Sequence, residues 1–167
     1  RLGRLPGTIQ LEVEAIGCVD FVAREENKRQ WDVLIAHAFL DLLDLPTALP
    51  QLLSLLWQNG YFYFTINFDG ATILQPTIDA ALDAQVEALY HRTMDERITA
   101  SKPSGDSQTG RHLFQQLQQA GGSILAAGSS DWVVFASQKG KRYPADERYF
   151  LHYIVNTMAG ALRGHPE

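Results

Sequence analysis

The stretch from Trp31 to Gly70 most constrains what this chain can fold into. Within Trp31 to His37, the unbroken apolar run Val33, Leu34, Ile35, Ala36 predicts a central strand covered on both faces. Leu49, Leu52, Leu53 and Leu56 then recur at the spacing of one helical face and predict a helix over Ala48 to Trp57. Thr47 is placed to cap it, Pro50 falls in its first turn, and Asn59-Gly60 is its stop. Tyr61 to Phe68 is aromatic and β-branched, a second strand by propensity and length. Strand, helix, strand is the repeat unit of a parallel sheet, because parallel strands need a crossover long enough to hold a helix. Open parallel sheets bind ligands at the carboxyl ends of their strands. Those ends carry Ala36, His37 and Ala38, and then Asn67, Phe68 and Asp69.

The flanks extend this plan. Ile9, Leu11 and Val13 alternate with Gln10, Glu12 and Glu14, predicting an edge strand over Thr8 to Ile16 with one wet face. Asp20 to Gln30 is charge-rich and reads as a solvated short helix and turn. Pro76 to Arg97 is helical in character, with an apolar stripe of Ile78, Leu82, Val86 and Leu89. Thr99 to Gln108 follows as a flexible connector, so that a helical insertion spans about 75 to 108. Thr109 to Ala120 is a further amphipathic helix ended by Gly121-Gly122. Ser123 to Ala127 and Asp131 to Ala136 are expected as strands; with only Gly128, Ser129 and Ser130 between them they must form an antiparallel hairpin. A terminal helix is expected at about Asp146 to Leu162.

A chain of 167 residues with 46% hydrophobic content supports one domain with a single sizeable core. Its net charge of -5 gathers no phosphates, and the basic cluster Lys139 to Arg142 is too short to track a nucleic acid, so no nucleic-acid partner is expected. The lone Cys18 cannot form an internal disulfide and suits a reducing compartment, which makes the cytoplasm the expected location. No apolar run is long enough to span a membrane, and no signal-peptide stretch opens the chain. The first residue is Arg1 and a strand is expected within the opening dozen, so the chain reads as the N-terminally incomplete part of a longer product.

Several polar groups are candidates for chemistry. Glu87, His91 and Asp95 share one helical face with Arg92 and Glu96 beside them; a solvated face of ion pairs is expected there, ahead of a metal or acid/base site. No other His or Cys cluster has ligand spacing, so no metal is expected. Arg111 stands near a helix start, where guanidinium and amide N–H groups together suit an anionic substrate group; capping by Ser107 or Thr109 is the structural alternative. Asn67, Asp69 and Thr72 follow the second strand, with turn chemistry at Asp69-Gly70 as the alternative to substrate contact. Ser129, Ser130 and Asp131 sit in a turn without a G-x-S-x-G elbow, which excludes the usual serine hydrolase.

The order of elements, together with Trp31-Asp32-Val33-Leu34-Ile35-Ala36-His37-Ala38-Phe39-Leu40-Asp41 and Trp57-Gln58-Asn59-Gly60-Tyr61-Phe62-Tyr63-Phe64, resembles the C-terminal two-thirds of a class I S-adenosylmethionine-dependent methyltransferase. The first phrase looks like the family's fourth strand and its exit loop, the second like the segment before its fifth. The resemblance spans about Thr8 to Ala136. It implies an α/β fold, a three-layer, mostly parallel Rossmann-like sheet with an antiparallel C-terminal hairpin, in a single partial methyltransferase-like domain over 1 to 167. It implies S-adenosylmethionine as cofactor, held by Cys18, Val19 and Asp20 and by Ala36, His37 and Ala38. A small-molecule acceptor would then meet Asn67, with His91 and Arg111 as further contacts. The family's glycine-rich cofactor loop has no counterpart, and no G-x-G-x-x-G occurs anywhere. Gly17 stands where such enzymes often carry an aspartate facing adenine. The alternative is a non-catalytic methyltransferase-like module that pairs with a partner or forms a homodimer through its aromatic C-terminal helix.

Overall fold

A computed structural model describes residues 8–28, 30–99, 101–137 and 142–164. The protein is α/β. Its centre is a parallel pair, β1 (Trp31–His37) and β2 (Leu56–Thr65), joined through a 3-10 turn at Leu40–Leu42 and helix α2 (Leu45–Leu53). Helix α1 (Cys18–Glu25) precedes the pair. After it come α3 (Ala80–Asp95), a short antiparallel pair β3 (Ile98–Thr99) and β4 (Lys102–Pro103), α4 (Thr109–Gln119) and α5 (Glu147–Leu162).

The central unit follows the expected order, with shifted joints. Helix α2 starts at Leu45 behind Asp44, and Thr47 is inside it, its hydroxyl donating to the Asp44 carboxylate at 2.7 Å. Pro46 takes the first turn, where a missing N–H leaves no bond unmade, and Pro50 lies further in. The helix ends at Leu53, so Leu56 and Trp57 belong to β2. Asn59-Gly60 is therefore no helix stop: it forms a bulge within β2, where Trp31 pairs with Leu56 but Val33 already pairs with Tyr61. Asn59 takes φ +67, and a Cβ on Gly60 would come within 3.0 Å of the Trp57 carbonyl oxygen. Beyond the bulge the register runs unbroken to His37 against Thr65.

The core lies on one face of this pair. Leu34 and Ala36 of β1 and Phe62 and Phe64 of β2 pack against Val22 of α1, against Leu45, Leu49 and Leu52 of α2, and against Leu113 and Leu117 of α4. Leu40 and Leu49 are fully enclosed. The opposite face is bare: Val33 is 50%, Ile35 58%, Tyr61 62% and Tyr63 59% exposed. The expectation of a strand covered on both faces is corrected here, because a continuous apolar run states that a strand is apolar, not that a layer is present to cover it. Among the described residues each strand also keeps one edge without a ladder partner.

Two predicted strand regions carry no ladder. Thr8 to Ile16 has no strand beside it, and Ile9, Leu11 and Val13 are more than four-fifths exposed. Alternation prepares a segment for a sheet edge but does not supply the neighbour. This segment is tethered by the Arg24 guanidinium of α1, which donates to both Glu14 carboxylate oxygens at 2.6 and 2.7 Å and holds that carboxyl below its ordinary pKa. The hairpin expected over 123–136 is likewise absent, in keeping with the marginal stability of an isolated two-stranded ribbon. The antiparallel pair forms instead at β3 and β4, inside the connector read as flexible, where the Ser104 N–H closes on the Arg97 carbonyl at 2.8 Å and the Thr99 and Ser104 hydroxyls meet at 2.6 Å. The chain accordingly exposes 13490 Å², against about 8,000 Å² for a close-packed chain of this length.

Candidate functional site

Because β1 and β2 run in parallel, their carboxyl ends emerge side by side. The Ala38 N–H donates to the Thr65 carbonyl at 2.9 Å, and His37 Nδ1 and the Thr65 hydroxyl share a hydrogen bond of 2.8 Å. The His37 ring also meets Tyr63 edge-on at 5.3 Å. Ala38 takes φ +50, which turns the chain out of β1 immediately after this contact. Ala36 is half-buried and faces the core, while His37 and Ala38 are exposed.

The loop leaving β2 is held from two helices. Asp69 is gripped by Arg111 of α4: the Arg111 backbone N–H donates to Oδ1 at 3.1 Å, its Nε to Oδ2 at 3.2 Å and its Nη2 to the Asp69 carbonyl at 2.7 Å. Gly110 permits this approach, since a Cβ there would come within 2.8 Å of the Asp69 carboxyl carbon. Gly70 takes φ +65, the left-handed turn that Asp69-Gly70 suggested. Further along, the Thr72 N–H donates to Glu87 of α3 at 3.0 Å. Just before the first anchor, Phe68 lies against the His91 ring at 5.5 Å in a T-shaped contact. His91 Nε2 is buried 3.8 Å from Glu87 Oε1, too far for a hydrogen bond, and has no hydrogen-bond partner.

The candidate acceptor residues Asn67, His91 and Arg111 therefore converge on one loop, next to Ala36, His37 and Ala38. Cys18, Val19 and Asp20 form the first turn of α1 and connect to that group only through the core, where Cys18 and Ala36 pack against the same cluster. Val19 is 68% exposed. Asp20 does not cap α1, whose N-cap is Gly17 without a side-chain bond; it lies one turn in, where its charge complements the helix dipole. The N–H groups of this turn lack intrahelical partners, as at any helix start.

The face shared by Glu87, His91 and Asp95 is partly solvated: Asp95 is exposed and Glu87 lies 3.8 Å from His91 one turn on, while Glu87 also accepts the Thr72 N–H and Asp95 accepts the Ser107 N–H at 2.7 Å and its hydroxyl at 3.3 Å. Arg111 keeps a half-exposed side chain, with Nε committed to the Asp69 carboxylate and Nη2 to the Asp69 carbonyl. Neither alternative cap is used either: Ser107 serves Asp95, and the Thr109 hydroxyl donates to the Asp106 carbonyl at 2.6 Å. Sequence reasoning missed the Asp69–Arg111 clamp, the Asp106–His112 contact at 2.6 Å, and Arg97, which donates to the carbonyls of Asp41 and Ser104. The pairing of Asp69-Gly70 with Gly110-Arg111, a glycine beside each charged partner, was the one available signal.

Among the described residues no three His, Cys, Asp or Glu side chains converge as metal ligands, and no helix is long and apolar enough to cross a membrane. Burial raises the Cys18 thiol above its ordinary pKa. Alkylation of Cys18 is therefore expected to be slower than that of free cysteine at neutral pH, with its rate profile displaced to higher pH; a profile matching the free amino acid refutes this. The same linkage makes stability independent of this thiol below about pH 8.5 and lowers it as pH rises from there toward the folded value, because the unfolded thiol ionises first.

Compared with known proteins, the chain matches no family model, no curated protein and no solved structure.

Proposed function

We propose that the protein transfers a methyl group from S-adenosylmethionine to a small-molecule acceptor, in the cytoplasm, on a three-layer Rossmann-like framework of which the parallel pair is the centre. The observation that carries this reading is the meeting of the two carboxyl ends, His37 against Thr65, beside a loop anchored by α3 and α4. Adjacent carboxyl ends are where an open parallel sheet admits a ligand. The residues present fit one side of the cofactor. Ala38, small and exposed beside the exposed His37 ring, lets a ligand approach the backbone at the end of β1. The glycine-rich loop that would hold its methionine end is without a counterpart in the sequence.

S-adenosylmethionine supplies an electrophilic methyl, and displacement at sulfur needs alignment and exclusion of water more than covalent help. In this reading Thr65 fixes the His37 ring, Arg111 and Glu87 hold the loop in place, and Asn67 offers an amide to the acceptor. The buried Nε2 of His91, which lacks a hydrogen-bond partner, is free to meet a polar group of the acceptor.

A second reading is a non-catalytic module that pairs with another copy of itself, favoured by the bare apolar face of Val33, Ile35, Tyr61 and Tyr63. Calorimetric titration with S-adenosylmethionine separates the two. Methyl transfer requires saturable 1:1 binding at micromolar Kd, weakened about tenfold in His37→Ala, whose exposed side chain leaves the fold intact. Heat of dilution alone, beside a dimer in sedimentation, rejects the enzyme in favour of the module.

A further inference from the structure

The described structure holds a second candidate site, away from the residues discussed so far, at the start of α5. Trp132 lies on Phe150 with ring centroids 3.8 Å apart and planes 21° from parallel. Beside this stack Tyr149 and Tyr153 help to line an open cleft of about 450 Å³, together with Asp146 and Glu147. Trp132, Tyr149 and Tyr153 are all more than half exposed. One carboxylate oxygen of Glu147, Oε2, is buried and has no hydrogen-bond partner. Among the described residues no basic side chain lines the cleft.

A buried carboxylate oxygen without a partner costs desolvation free energy that a positive ligand would offset. Aromatic faces attract cations through their quadrupoles, and attract most strongly those cations whose own hydration is weak. The two features select the same chemistry. A hydrated metal ion would gain nothing from the rings, a neutral apolar ligand would leave Glu147 unpaired, and an anion would be repelled by both carboxylates. We propose that this cleft binds a small organic cation of the methylated-ammonium class, with the methyl groups against Trp132, Tyr149 and Tyr153 and the charge facing Glu147. The site is independent of the methyl-transfer reading and stands or falls without it.

The test is a titration of the protein with choline, followed by NMR at the Trp132 indole N–H and the amides of Tyr149, Phe150 and Tyr153. A parallel titration uses 3,3-dimethyl-1-butanol, the uncharged isostere of the same shape. Saturable shifts confined to this cleft are expected, with choline binding at least about tenfold more tightly than the alcohol, and with Glu147→Gln removing most of that difference. Equal affinities, shifts centred elsewhere, or no saturation with choline overturn the proposal. The comparison of the two ligands on the unaltered protein carries the decision even if Glu147→Gln perturbs the start of α5.

Discussion

Replacing Leu49 with alanine is expected to lower folding stability by about 3 to 5 kcal/mol, the range for removing a fully enclosed leucine whose neighbours cannot collapse into the space. Leu49 is 1% exposed and belongs to the cluster through which α1, α2 and α4 are packed onto the inner face of β1 and β2. A domain of this size has a total stability of about 5 to 15 kcal/mol, so the loss removes a large share of it. Urea unfolding followed by circular dichroism measures the change. Val33→Ala is the matched control. It deletes apolar carbon from the same central unit, but at a half-exposed position on the bare face, and should cost less than about 1 kcal/mol. Equal shifts in the two variants would place the core elsewhere.

Gly105→Ala is expected to cost about 2 to 4 kcal/mol, for a different reason. Gly105 takes φ +147, where side chains are rarely accommodated, and an added Cβ would lie 2.6 Å from the Met94 carbonyl oxygen and 2.8 Å from Arg97 Nη2. The carbonyl is backbone and cannot swing aside. Arg97 could retreat only by giving up its bonds to the Asp41 and Ser104 carbonyls, which tie the end of α3 to the turn before α2. The strain therefore spreads into the segment that orders Asp95, Ser107 and the start of α4. Gly128→Ala, with nothing within 4 Å of the added atom, should leave the unfolding midpoint unchanged. If the two alanine variants unfold together, the tight approach at Gly105 is not a feature of the folded protein.

What was legible in the sequence depended on how locally each element is determined. The parallel relation of β1 and β2 was readable because α2 lies between them, and a crossover of that length leaves few other arrangements. Helices α4 and α5 were readable from periodicity, and their observed bounds, Thr109–Gln119 and Glu147–Leu162, fall within a residue of those expected. Strand formation at Thr8 to Ile16 and over 123–136 was not decidable from alternation, because a ladder is a property of two segments and the pattern describes one. The stop assigned to Asn59-Gly60 failed for a related reason: left-handed backbone serves a helix end and a strand bulge equally well.

The candidate site divides the same way. That Ala36, His37, Ala38 and Asn67 would gather followed from strand direction alone. The contact of Arg111 with Asp69 did not, since the partners are 42 residues apart and a glycine beside each is too general a signal to match one with the other. The loop contacts of Glu87 and Asp95 were not legible either, because helical spacing shows which residues share a side, not which loop will come to lie against it.

The bare face of the β1–β2 pair, and the edges that hold no ladder partner among the described residues, bear on how this protein behaves in a tube. A strand edge without a ladder partner, flanked by Val33, Ile35, Tyr61 and Tyr63, is a template for adding another strand, and the template grows more occupied as molecules become crowded. Protein concentration thereby becomes a thermodynamic variable: melting temperature should climb with it while association is reversible, and solubility should fall once pairing propagates beyond two copies.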